Sequence, residues 1–169
     1  MDIYKTILTH SEGIYKEKGS KFLAFAIPVK NVDEVKEIVK EYKKEYYDAR
    51  HVCYAYMLGS ERNEFRSNDD GEPNGTAGRP ILGQINSREL TNILVIVVRY
   101  FGGILLGTGG LVSAYKEATA DALNQAQIIE KNVEENITLN FEYTQLNDVM
   151  KVIKESNAQI LHQKFDNLC

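Results

Sequence analysis

The amino-acid sequence predicts an α+β protein, and three observations predict it. Residues 51–58, HVCYAYML, alternate so that Val52, Tyr54, Tyr56 and Leu58 fall on one face of a strand and His51, Cys53, Ala55 and Met57 on the other. Residues 93–98, ILVIVV, are aliphatic on both parities, as expected of a central strand covered on both faces or of a strand at a dimer contact. Before, between and after these runs, apolar residues return at helical spacing instead. With 43% hydrophobic and 26% charged residues, the 169-residue chain sits near average usage, which excludes a fibrous repeat or a disordered tail of this length.

Taken in order, residues 22–29 form an apolar run with Pro28 near its end, which reads as a strand stopping at an edge or turn. Asn31 followed by Glu34 makes a capping box, and Val32, Val35, Ile38, Val39, Tyr42 and Tyr46 then recur on one helical face. The Lys and Glu residues between them are a solvated face. After the strand at 51–58 and a long loop, Leu82 and Ile85 mark a short helix over 81–85. Beyond Gly110, Leu111, Tyr115, Ala118, Ala122 and Ala126 line a helix of about four turns, with Leu123 beside them. A boundary is expected at 130–133. Past it, Ile137, Leu139 and Phe141 alternate as a strand, Leu146, Val149, Met150 and Ile153 make a helix, and residues 158–165 read as another strand, together one βαβ unit.

Composition also limits the setting. The longest aliphatic run has six residues, against roughly 20 for a membrane helix. An acid at position 2 and no apolar stretch behind it give no signal peptide. Two cysteines, Cys53 and Cys169, are too few for a disulfide framework and fit a reducing compartment, so a cytoplasmic protein without membrane partners is expected. Net charge is −4, and the excess acid falls mostly after residue 128, where 4 Lys+Arg face 7 Asp+Glu. The surface as a whole is no magnet for nucleic acid.

Two stretches stand apart. Residues 66–80, RSNDDGEPNGTAGRP, hold three glycines, two prolines and three carboxylates, where a connection usually needs about four to six residues. Residues 99–111, RYFGGILLGTGGL, follow the aliphatic strand and lead into the long helix. Gly102 and Gly107 have P-loop spacing, but Thr108 and Gly109 stand where Lys and Ser/Thr are required. Gly107, Gly109 and Val112 likewise miss the third glycine of a dinucleotide fingerprint. Two readings remain open for this strand, glycine loop and helix. Its free N–H groups and positive dipole end suit an anion, or its glycines simply allow positive φ in a tight turn.

The acidic loop fails as an EF-hand, because the register from Asp69 puts Gly71 at a ligand position and the one from Asn68 puts Pro73 where glycine belongs. Asp69, Asp70 and Glu72 could share a magnesium ion with a bound phosphate, yet acids beside glycines more often fold back on local N–H groups. No metal or other cofactor is expected, with magnesium on these three residues as the alternative. His51 and Cys53 share a strand face, but a strand cysteine beside Ala55 and Met57 is more often a small core residue than a nucleophile.

In their order and spacing, ARHVCYAYML, DDGEPNGTAGRPIL and VIVVRYFGGILLGTGGLVSAY closely resemble the signature of the IMPACT family, in its bacterial, YigZ-like branch. The resemblance covers residues 1–128 as an N-terminal IMPACT domain. It implies a two-layer α/β sandwich similar to the second domain of ribosomal protein S5. A ferredoxin-like domain would follow, of which residues 131–169 supply a partial βαβ unit, as in a shortened form. The motif positions are His51; Asp69, Asp70, Gly71, Glu72, Pro73, Gly75, Thr76, Ala77, Gly78 and Pro80; and Arg99, Tyr100, Phe101, Gly102, Gly103, Gly107, Gly109, Gly110 and Leu111. They suggest a preformed loop apposed to the second glycine loop, with Arg79 and Arg99 as anion anchors.

This chain departs from the family at Ser113, where many bacterial members carry Arg, and it shows no N-terminal extension of the eukaryotic kind, so a kinase-regulating partnership is not carried over. The function implied is a cytoplasmic binding or regulatory protein linked to translation, contacting RNA, the ribosome or a protein partner through the two glycine loops. No catalytic residue is assigned. The alternative is a magnesium-assisted enzyme acting on a phosphate-containing substrate, with Asp69, Asp70 and Glu72 as ligands. Because one helix covers Ile137, Leu139 and Phe141 only partly, residues 131–169 are expected either to dock on the first domain or to self-associate with a second chain.

Overall fold

The computed structural model describes residues 3–166, so Cys169 lies outside the described residues. The chain divides into two compact units, Met1–Val133 and Glu134–Cys169. In chain order the first contains β1 (Ile3–Ile7), β2 (Ser11–Glu17), β3 (Ser20–Pro28), α1 (Val32–Glu45), β4 (His51–Leu58), β5 (Glu64–Asn68), α2 (Gly78–Ser87), β6 (Ile93–Tyr100), α3 (Gly107–Gln125) and β7 (Ile128–Asn132). Five strands form one antiparallel sheet in the order β2-β3-β6-β4-β5, and β1 pairs with β7 in a separate two-stranded sheet.

The aliphatic run at 93–98 is the central strand, as its two-sided apolar pattern predicts. Ile93, Val95 and Val97 pack with Phe22, Cys53 and Ala55 beneath α2 and α3, which contribute Ile81, Ile85, Leu111, Tyr115, Ala118 and Ala122. Leu94, Ile96 and Val98 face the other way, onto Val35 and Val39 of α1 with Phe25, Val52 and Tyr56. Thus α1 adds a third layer to the expected sandwich. Its entry is fixed by Asn31, whose side chain accepts the Glu34 N–H at 2.8 Å. Glu34 in turn accepts the N–H of Lys30, one residue before the cap, rather than that of Asn31.

Several strands lie where periodicity was silent. β2 and β5 are edges with many exposed positions, and every residue from Glu64 to Ser67 is exposed. β7 lies across the expected boundary at 130–133 and pairs with β1 from Ile3↔Asn132 to Ile7↔Ile128. The first unit therefore runs through Val133, not 128.

In the second unit, a short 3-10 turn (Tyr143–Gln145) leads into α4 (Leu146–Glu155), the helix expected from Leu146, Val149, Met150 and Ile153. The strands expected at 137–141 and 158–165 are absent there. Alternation marks which face a segment would bury but supplies no ladder partner, and Ile137 and Leu139 remain exposed.

Candidate anion-binding cleft

The β4–β6 register sets His51 directly opposite Arg99, at the ends of two central strands where the sheet stops being covered. Both point toward the α3 side of the sheet, in the same parity as Cys53 and Val97. The acidic loop then folds back across them. His51 Nδ1 lies 2.7 Å from the Asp70 carbonyl oxygen and Nε2 lies 2.7 Å from Glu72 Oε1. Both ring nitrogens thus face acceptors, and a nitrogen that carries hydrogen donates to its partner. Arg99 Nη1 donates to the same Glu72 oxygen at 2.5 Å, and the Glu72 side chain is fully buried. Glu72 thus holds Arg99 and His51 in place with one oxygen. Its other oxygen, Oε2, and Arg99 Nε are buried without a hydrogen-bond partner among the described residues.

The two other carboxylates of the loop are engaged elsewhere. Asp69 accepts N–H groups of Gly75, Ala77 and Gly78 at 2.9, 3.2 and 2.8 Å, tying the loop to the start of α2. Burial alone would raise its pKa, but those three N–H groups and nearby Arg79 outweigh it and hold the carboxyl below its ordinary 3.8. Asp70 accepts the Val52 N–H at 2.7 Å and faces Lys43 Nζ at 3.4 Å. The acids therefore fold back on local donors, the turn reading, instead of converging on one ion. Cys53 donates to the Asp69 carbonyl at 3.1 Å, and burial, countered in part by Tyr115, pushes its thiol well up. It is a neutral core residue.

Above this cluster opens a cleft of about 260 Å³. Arg50, His51, Glu72 and Arg99 form its polar wall, and Pro73, Phe101, Leu105, Leu106 and Leu111 its apolar one, with Gly107 and Thr108 at the start of α3. Leu106, the N-cap of α3, offers no side-chain hydrogen bond, and the first turn contains no acid. The positive end of this 19-residue helix thus has no side-chain cap and no neighbouring acid on its own first turn. Arg50 and Arg99 both stack on the Phe101 ring, at 5.1 and 5.5 Å from its centre.

The predicted site residues divide accordingly. His51, Glu72, Pro73, Arg99 and Gly107 line the cleft. Asp69, Gly75, Thr76 and Gly78 build the loop behind it, Thr76 by donating its hydroxyl to Pro73 O at 2.6 Å. Gly71 takes φ +85 beside the His51 ring, and Asp70 supports His51 from below. Gly102 packs its Cα against the β2–β3 turn, and its N–H donates to Ser20 Oγ at 3.1 Å. Gly103 turns at φ +90, while Gly109 and Gly110 lie in the first turns of α3. Arg79 is exposed and lies outside the cleft, acting on Asp69 instead. Tyr100 belongs to the opposite face, where it packs with the α1 core and donates to Asp48 Oδ1 at 3.0 Å. Arg50 and Leu105 were not singled out by sequence reasoning, and Thr108 entered it only as the residue that breaks the P-loop pattern. Arg50 precedes a strand whose partner is distant in sequence, and the mark that pointed to Thr108 was its place after Gly107.

Residues 18–123 match the family model of the Impact N-terminal domain. The IMPACT family member YvyE of Bacillus subtilis is 34% identical over 157 residues, spanning 88% of this chain and 72% of that protein. The IMPACT family member YigZ of Escherichia coli is 37% identical over 150 residues, spanning 88% and 74%. Protein IMPACT of Rattus norvegicus is 36% identical over 96 residues, 54% of this chain and 30% of that one. A solved crystal structure of a hypothetical protein, 33% identical, has the same fold with a TM-score of 0.82 and covers 98% of this chain and 82% of its own. From its folded-back acidic loop to the glycine-rich start of α3, the chain belongs to the IMPACT family.

Proposed function

We propose that this chain is a translation-linked binding protein of the cytoplasm that contacts RNA through the cleft between the acidic loop and α3. The observation that carries the reading is the uncapped start of α3 facing a wall with two guanidinium groups, Arg50 and Arg99, the His51 imidazole and one carboxylate, Glu72. Such a wall attracts phosphate, while the net charge of −4 discourages binding over the rest of the surface. The link to translation rests on the resemblance of the motifs to a family whose eukaryotic members act in translation initiation. Among the described residues no helix is long and apolar enough to cross a membrane. Titration of labelled single-stranded RNA at low and at high salt tests the reading. Affinity that falls as salt rises is expected, and no binding at low salt would overturn it.

A further inference from the structure

We infer that the cleft takes one phosphate monoester carried on a nucleoside, either the phosphorylated 5′ end of an RNA or a free nucleotide, rather than a run of internal phosphates. The inference rests on the proposed RNA contact and specifies its chemistry. The groups able to hold an anion share one cleft: the start of α3 and the side chains of Arg50, His51 and Arg99 all border it. A terminal phosphate carries about −1.5 to −2 charge near neutral pH, more than the single charge of an internal diester, and gains correspondingly more at one focused site.

Arg99 and Glu72 say what else the ligand offers. The Arg99 side chain is 7% exposed and Glu72 is fully buried, and both border the cleft. Arg99 Nε is a donor without an acceptor and Glu72 Oε2 an acceptor without a donor, among the described residues. Polar atoms left so in a protein interior call for a partner. A sugar phosphate supplies both kinds, oxygens that accept and hydroxyls that donate. The aromatic part of the lining, beside Arg50 and Arg99, suits a flat ring. Phe101 is partly exposed, and Arg50 already stacks on it. At about 260 Å³ the cleft lies just under the range of about 300–1,000 Å³ usual for small-ligand pockets. That is room for one small ligand rather than for a strand.

The test compares one short RNA in 5′-phosphorylated and 5′-hydroxyl forms, together with a nucleoside 5′-monophosphate and its nucleoside, on the wild-type chain and on Thr108→Glu. Thr108 is exposed in the first turn of α3, where an acid favours the helix, so the variant keeps its melting temperature while its carboxylate occupies the anion's place. Loss of the phosphate, or of the open helix end, should weaken binding by about tenfold or more. Equal affinity for the two RNAs, weakened alike in Thr108→Glu, would overturn the inference and leave RNA contact at the cleft standing, whereas affinity unchanged in Thr108→Glu would overturn both. Binding of the monophosphate but of neither RNA would support the cleft chemistry and overturn the RNA reading. No binding of any of the four would overturn both.

Discussion

Glu72 and Arg99 meet through Oε1 and Nη1 at 2.5 Å, the carboxylate wholly buried and the guanidinium nearly so. Removing one partner of such a pair leaves the other charge buried and unpaired, a loss of about 3–5 kcal/mol. Glu72→Ala should therefore destabilise the first unit by that amount in denaturant titrations. Arg99→Ala, which still leaves Glu72 its contact with His51, should cost less. Equal stability of Glu72→Ala and wild type would mean the pair does not hold in solution.

Asp69 makes a pH-dependent contribution whose sign follows from its lowered pKa. Because the folded carboxyl ionises more readily than the unfolded one, its stabilisation is fully present above the ordinary value of 3.8 and is lost as pH falls through the folded pKa. Melting temperatures measured from neutral to strongly acid pH should drop for wild type in that acid window. Asp69→Asn should start lower and show a shallower drop, since the amide cannot gain a proton there.

The two central glycines of the RYFGG stretch should differ sharply. A Cβ on Gly102 would overlap the backbone of Gly19 and Ser20, whereas one on Gly103 meets open space and suffers only from the φ of +90. Gly103→Ala should cost about 1–3 kcal/mol. Gly102→Ala should cost more, because two backbone segments have to separate, and paired thermal melts of the single variants give the order.

Cutting the chain should respect β7. A fragment of residues 1–133 keeps the β1–β7 pairs and should melt as a folded unit, while a fragment of 1–127 loses all five register pairs and should melt lower. Sedimentation of the 1–133 fragment beside the full chain adds a second readout. Self-association through residues 134–169 would appear in the full chain and vanish from the fragment.

What was legible in the sequence is what a local pattern can carry. Ile93 through Val98 announced a buried central strand, and Leu111, Tyr115, Ala118 and Ala122 announced α3, because each buries a face set by its own spacing. β2 and β5 were missed since an edge strand is defined by its neighbour, and Ile14 and Phe65 are exposed apolar residues on such edges. The glycine loops are recognisable as unusual, but their composition does not separate an anion site from a plain turn, and the contacts that bear on the choice join distant segments. His51 and Arg99 stand 48 positions apart and meet only through the strand register, and Glu72 reaches both only because Asp69 anchors its loop to α2. Tyr100 shows the reverse limit: its place beside Arg99 in the motif says nothing of the face it takes, and one step along a strand reverses that face.

β6 carries a consequence for how the first unit comes apart. Val95 and Ile96 share a peptide bond, yet one side chain belongs to the α2–α3 layer and the other to the α1 layer. Neither layer can detach while the other keeps its grip on this strand in native register. Opening therefore has no halfway seam through the sheet, and the unit should unfold as one cooperative step in which amides of 94–97 exchange only with the whole.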